Sequence, residues 1–226
     1  MAFLTPEYIE NEAITLFNDY CRRVDQEYEP PIPVDAIFES YLGFSLEFAD
    51  LQKKHGSTNV LAETHILSKR VIVDLTLDPE EYPGNEGRYN FTLAHEIGHW
   101  VLHRHEVIAV SATPDLFGYV PEPVVCRSAS REPHEWQADQ FAANLLMPRK
   151  MVIRVWKQFC PLDSLNVYDE NQKPPRRGDL FASRMDPFCD IARRMAPIFK
   201  VSLTAMQLRL KQLKKLEFEK PQPLLF

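Results

Sequence analysis

His95, Glu96 and His99 are the residues of this chain whose types and spacing could do chemistry. They stand as H-E-x-x-H in the run from Phe91 to His103. On a helix, residues four apart share a face, so His95 and His99 can offer two imidazole nitrogens to one metal ion. Glu96 falls at the edge of that face, where its carboxylate can reach a water at the metal without being a ligand. Two histidine ligands and a glutamate base are the first half of a zinc hydrolase site. Ala94, Ile97, Val101 and Leu102 are placed to pack into a core while the histidines face a cleft. Taken alone, the five residues also suit a surface helix with a satisfied histidine pair. A third ligand in a fitting context has to decide.

Such a site needs three protein ligands and an open position for water. Downstream, Glu135-Trp136-Gln137-Ala138-Asp139-Gln140-Phe141 runs on to Met147-Pro148. Trp136, Phe141 and Leu145, with Ala138 and Ala142, fall at helical spacing and predict an amphipathic helix. Pro133 suits its first turn, and Pro148 ends it or opens the next helix. Glu135 and Asp139 are four apart, so Glu135 can bind the metal while Asp139 accepts the second ring N–H of a ligating histidine. A carboxylate in a first turn is also what the helix dipole favours. Glu132 competes for the ligand role but has no carboxylate at the matching spacing. His134 should point to another side of the helix.

The two segments, F-T-L-A-H-E-I-G-H-W-V-L-H and E-W-Q-A-D-Q-F-A-A-N-L-L-M-P, together resemble the ImmA/IrrE family of zinc metallopeptidases. The strand-like Val71-Ile72-Val73-Asp74 and the ending from Ile191 to Leu210 are similar as well. The resemblance runs from about Pro33 to Leu213; its two central motifs are specific and its ends weak. It implies that His95, His99 and Glu135 are zinc ligands and that Glu96 is the catalytic base. It also implies a protein substrate of a particular kind. Members of the family sit beside, or are fused to, helix-turn-helix repressors that they cleave or inactivate. No helix-turn-helix segment precedes the motifs here, so the repressor is expected to be a separate protein.

The elements that must position these residues read as an α+β fold. Glu7 to Val24 has Ile9, Ala13, Leu16, Phe17 and Tyr20 at helical spacing. Glu29-Pro30-Pro31-Ile32-Pro33 is an extended break, and Val34 to Tyr41 is a short helix that Gly43 can end. Three strand-like runs follow, Phe44–Phe48, Val60–His65 and Val71–Leu75. They predict a small sheet of about three strands under a helical, zincin-like metallopeptidase body. Asp78 to Arg88 reads as a loop, and so does His105 to Arg131. Met151 to Phe159 continues as helix, and Pro161 to Pro187 reads as an exposed loop or linker. Phe188–Phe199 and Leu203–Leu216 close the chain as a helical pair, with Ser202 as an N-cap. The expected division is therefore residues 1–160, the metallopeptidase domain, and 161–226, a loop and helical pair packed on it.

At 226 residues the chain can fill one core, and its composition is that of an ordinary globular protein. No signal peptide or transmembrane span is visible. The scattered Cys21, Cys126, Cys160 and Cys189 suggest reduced thiols in a cytoplasm rather than a disulfide framework. Charge is uneven: residues 1–172 hold 14 Lys and Arg against 27 Asp and Glu, and residues 173–226 hold 12 against 5. The basic end reads as a solvated helix face rather than a site for direct nucleic-acid binding. His55 and His65 read as surface positions, and His103 as a helix-end cation. A second electrophile to stabilise an oxyanion is expected, with His103, His134, Tyr119 and Arg88 as candidates. The reading is a zinc-dependent endopeptidase acting on a partner protein. The rival is a regulatory protein- or DNA-binding module with a structural or inactive metal site. An intact Glu96 speaks against the rival, since a structural zinc needs no base.

Overall fold

The computed structural model of the protein describes residues 4–57, 60–111, 124–127, 132–167 and 187–218. The chain divides into two compact units, Met1–Pro148 and Arg149–Phe226. Its fold is α+β, as expected. The division falls before the helix that starts at Arg149 rather than after it.

The first unit opens with helix α1, Pro6–Val24. Thr5 caps it by accepting from the Tyr8 N–H, Pro6 takes the first turn, and Ile9, Ala13, Phe17 and Tyr20 form its buried stripe. Asp25 ends it in the left-handed region, which aspartate tolerates. The predicted short helix is a single π-helical stretch, Ala36–Tyr41. Strand β1, Ser45–Ala49, follows. A five-residue helix, α2 (Leu51–His55), which was not among the expected elements, then follows. Asp50 caps it and Gly56 closes it with φ +62°, a conformation that needs glycine.

Strands β2 (Val60–His65) and β3 (Arg70–Asp74) form a hairpin. β1 joins β3 in parallel, and the short β4, Val124–Arg127, joins β2 antiparallel, giving the order β1-β3-β2-β4. The three expected strands are thus present, and β4 extends them at the far edge. Alternation along the pleat gives the sheet two faces. Thr64 pairs across with Val71, and Ala62 with Val73; Glu63 pairs with Ile72.

The motif helix α3 spans Glu86–Ser111, longer at both ends than the sequence reading. Neither Gly nor Pro interrupts His105 to Ser111, so nothing stops the helix there. Its centre, from Thr92 to His99, is buried on every side. Tyr89 anchors its first turns by donating to Asp35 at 2.7 Å and by stacking on Phe48 of β1. Burial and the Asp35 carboxylate push the Tyr89 hydroxyl pKa well above its ordinary value. Helix α4, Pro133–Leu146, packs along α3 and against α1. It has Pro133 in its first turn and Pro148 just past its end, as predicted. Trp136 is the exception on its apolar face: it is partly exposed, while Gln137 and Asn144 are buried.

The second unit holds α5 (Arg149–Phe159), α6 (Pro187–Met195) and α7 (Leu203–Gln212), with a parallel pair of three-residue strands, β5 (Leu165–Val167) and β6 (Leu216–Phe218). The Trp156 indole donates to the Leu162 carbonyl at 2.8 Å. α6 stops short of the expected Phe199. Pro197 has no N–H to donate, and its ring opposes the carbonyl four residues back, so the helix yields to turns. Ser202 caps α7 from the predicted position, accepting from the Ala205 N–H at 3.1 Å. Among the described residues, no helix is long and apolar enough to cross a membrane.

Asp74 ties α2 to the end of β3. Its carboxylate accepts from the Leu51 and Gln52 backbone N–H groups at 3.0 and 3.2 Å, and from the Thr76 N–H and hydroxyl at 3.1 and 2.5 Å. Burial raises its pKa, but these donors outweigh burial and hold the carboxyl below its usual range. A depressed carboxyl pKa gives stability that is present above the unfolded value, near ~3.9, and is lost as pH falls through the folded one. Asp74→Ala should therefore cost about 2–3 kcal/mol at pH 7, from stranded backbone donors and a lost cap. In urea titrations the gap from the unsubstituted protein should narrow as pH drops toward ~3. An equal gap at both pH values would show that the charge is not what holds α2.

Candidate metal centre

His95 and His99 lie one turn apart on α3, both almost fully buried, and Glu135 reaches them from the first turn of α4. One ligand atom from each lies within 4.8 Å of the others. The two Nε2 atoms are 3.0 Å apart. Glu135 Oε2 is 3.3 Å from His95 Nε2, and Oε1 is 3.2 Å from His99 Nε2. Glu132, the competitor for the third position, stands instead at the N-cap of α4. Burial would raise the Glu135 pKa, but hydrogen bonds and charge from His95 and His99 outweigh it, and the carboxyl is held at about 2.

Asp139 comes in one turn further along α4, with Oδ1 2.9 Å from His95 Nδ1. A carboxylate only accepts, so the ring proton facing Asp139 sits on His95 Nδ1, and Nε2 faces His99 and Glu135. The Nε2 atoms of the two imidazoles and the Glu135 carboxylate converge at one buried spot. Such a donor set suits a cation, and two imidazoles with one carboxylate suit a borderline divalent ion.

Glu96 is fully buried. Its Oε2 accepts a 2.5 Å hydrogen bond from the Thr64 hydroxyl on β2, and its Oε1 has no hydrogen-bond partner among the described residues. The sheet thus grips one oxygen of the carboxylate and leaves the other bare. Thr64 carried no signal in the sequence: a threonine in a strand is ordinary, and its meaning comes from the pairing of β2 beneath α3.

His103 does carry a signal that was legible, the third histidine at four-residue spacing after His95 and His99. Its Nδ1 lies 3.2 Å from His99 Nδ1, and its Nε2 lies 2.9 Å from Gln137 Oε1. Burial lowers its pKa to about 4. With both nitrogens engaged, it has no donor left for an oxyanion, and it is no exposed helix-end cation. His134 stacks 4.3 Å from the His103 ring and points Nε2 toward Glu106 at 3.4 Å. Arg88 is exposed near the start of α3. Tyr119 lies outside the described residues. His55 and His65 are on the other side of the sheet, beside the buried Glu63 and away from the metal cluster.

An H-E-x-x-H helix, a carboxylate from the next helix and a mixed sheet gripping the intervening glutamate define a metallopeptidase-like domain of the zincin type. The chain belongs to the Peptidase M78 family: the model of its IrrE N-terminal-like domain matches residues 41–211. Comparison with curated proteins gave no match. Among solved structures, a Mycobacterium tuberculosis transcriptional regulator is similar, at 15% identity and a TM-score of 0.49. The match covers 91% of this chain and 48% of that one, so the chain spans about half the length of that protein.

Gly98 is the residue that lets α3 and α4 come close enough to share ligands. A Cβ there would stand 3.1 Å from Ala138 Cα, 3.2 Å from Ala138 O and 3.2 Å from Phe141 Cβ. Two of these are backbone atoms, which cannot swing aside. Alanine is the better helix former by about 1 kcal/mol, but overpacking typically costs about 1–3 kcal/mol. Gly98→Ala should therefore lower the melting temperature and weaken metal binding. Gly84→Ala, where a Cβ meets nothing within 4 Å, is the control and should leave both nearly unchanged. A higher melting temperature in Gly98→Ala would mean that the helices have room to part.

Proposed function

We propose that this protein is a zinc-dependent endopeptidase whose substrate is a partner protein, a separate helix-turn-helix transcriptional repressor. In this reading His95, His99 and Glu135 hold the zinc, Asp139 orients His95, and Glu96 is the base. The observation that carries it is Glu96: a buried carboxylate with one oxygen gripped by Thr64 and the other bare. A structural metal site has no use for such a group. The family's peptidase character and the donor set support the metal and the reaction class. The repressor as substrate rests on the family resemblance alone, and a cytoplasmic setting on the scattered cysteines.

Zinc, when bound, supplies Lewis acidity, lowering the pKa of a water and polarising a peptide carbonyl. The chain's own residues do the rest. Glu96 takes the proton from the attacking water on Oε1 while Thr64 keeps Oε2 in place, and Glu96 then passes that proton to the leaving amine. Asp139 and Glu135 keep the two imidazoles in register.

Two expectations test this. Asp139→Asn should weaken zinc affinity by roughly 10-fold, the low end of the usual effect. The Asp139 side chain is 51% exposed, so water can replace part of what it does. A competition titration against a chromophoric chelator measures it, and unchanged affinity removes Asp139 from the site. Glu96→Gln keeps the size and loses the base. It should fold, hold one zinc and bind its repressor substrate, yet cleave roughly two to four orders of magnitude more slowly. The measurement is a cleavage time course at matched zinc content. Cleavage at the unsubstituted rate would make the proposed mechanism wrong. Absence of cleavage by the unsubstituted protein would favour a binding module.

A further inference from the structure

The metal-site reading leaves one ligand without an explained orienting partner. Asp139 accounts for His95, but His99 is held differently. For Nε2 of His99 to face Glu135 and His95 as a ligand, its ring proton must be on Nδ1. The atom opposite Nδ1 is another imidazole nitrogen, His103 Nδ1, at 3.2 Å. That nitrogen accepts only if it is bare, which puts the His103 proton on Nε2. Nε2 in turn faces Gln137 Oε1 at 2.9 Å, an atom that can only accept. Each link therefore dictates the next, from a carbonyl oxygen on α4 to the lone pair of a ligand on α3.

We propose that Gln137, acting through His103, is the positioning residue that fixes the tautomer and direction of His99. The Gln137–His103–His99 chain thus does for this ligand what Asp139 does for His95. The proposal rests on the reading of His99 as a metal ligand and adds two residues that the sequence motif does not contain. Its logic is directional. Were the Gln137 amide turned over, its NH₂ would donate to His103 Nε2. The His103 proton would move to Nδ1, and His99 would have to carry its own proton on Nε2, facing the other ligands. Only one amide orientation is compatible with a ligand at His99.

The two orienting devices also differ in kind. Asp139 is half exposed, whereas Gln137 and His103 are 1% and 6% exposed. Water can stand in for the first and has no route to the second. Gln137 sits two residues after Glu135, so α4 supplies a ligand and an orienting group from the same two turns. A side chain kept there only to fill space would be apolar, as the buried Ala138, Phe141 and Leu145 of the same helix are.

The test compares Gln137→Leu and Gln137→Glu with the unsubstituted protein, each given one equivalent of zinc. Leucine keeps the volume and removes the acceptor. Glutamate keeps the acceptor and adds charge. A packing role ranks Leu above Glu, and the relay ranks Glu above Leu. Gln137→Leu should lose roughly 10–100-fold in zinc affinity, and Gln137→Glu should recover most of that loss. Long-range ¹H–¹⁵N spectra of the zinc-loaded protein should show His103 protonated on Nε2 alone. In Gln137→Leu that single tautomer should be lost. Unchanged affinity and an unchanged His103 tautomer in Gln137→Leu would overturn the relay while leaving the metal site standing, as would an Nδ1 proton on His103 in the unsubstituted protein. Failure of the unsubstituted protein to take up zinc would overturn the site and the relay together. If Gln137→Glu does not fold, the tautomer of His103 in the other two proteins decides alone.

Discussion

With only 3.1 Å between the place a Gly98 Cβ would occupy and Ala138 Cα, α3 and α4 meet backbone to backbone. The distances from α3 to α4 in the candidate metal centre follow from that approach. His95 and His99 flank Gly98 within one turn, and Glu135 and Asp139 flank Ala138 in the same way. A helix pair held apart by ordinary side chains keeps its axes some 8–10 Å apart. An added methyl at this crossing would push Glu135 away from both imidazoles, since neither helix can yield there without the other. The glycine in the motif is thus a packing requirement, and its φ is not in the left-handed region that would demand glycine for backbone reasons.

That close approach also has to accommodate a cost. His95, Glu96, His99, His103, Glu135 and Gln137 are all buried among apolar neighbours. Unpartnered polar groups in such a place are expensive, and an unpaired charge more so. The arrangement offsets this by handing each group to another: Glu135 between two imidazoles, His95 to Asp139, His99 through His103 to Gln137, and Glu96 to Thr64. What is left over includes Glu96 Oε1 and Glu135 Oε2, neither of which has a hydrogen-bond partner among the described residues.

His95, Glu96, His99 and Glu135 stood out in the sequence because each belongs to a pair of residues three or four apart on one helix, and helical spacing survives any tertiary context; the structure brings the two histidines and Glu135 together. The strands were legible for a similar reason, from β-branched runs between turn residues. Thr64, Gln137 and the role of His103 were not, although His103 stood at the right spacing. Thr64 means something only once β2 is laid under α3 across thirty residues of intervening chain. Gln137 matters through a contact with a residue on another helix. Helix α2 was missed because Asp74, which accepts from its first backbone N–H groups, lies 23 residues away; its own five residues hold little helical signal. The extension of α3 to Ser111 was missed because polar and apolar residues there show no clean period, yet nothing in them stops a helix.

Strand β2 shows how a scaffold constraint and a chemical one become the same constraint. Thr64 on one face holds Glu96. Glu63, its neighbour, points to the opposite face, fully buried, where Lys54 donates to it at 2.7 Å and His55 pairs with it. Burial raises the Glu63 pKa, but Lys54 and His55 outweigh it and keep the carboxyl below its ordinary range. A register slip of one residue would reverse both side chains at once. It would bury a charged carboxylate against α3 and turn the hydroxyl away from the base. The ion pair on the α2 side therefore fixes the register from which the Thr64–Glu96 bond follows. Asp74, accepting from α2 at the end of the neighbouring strand, pins that helix in place. The short helix that sequence periodicity did not reveal is in this way mechanically joined to the residue proposed to do the chemistry, though it touches neither the metal cluster nor Glu96.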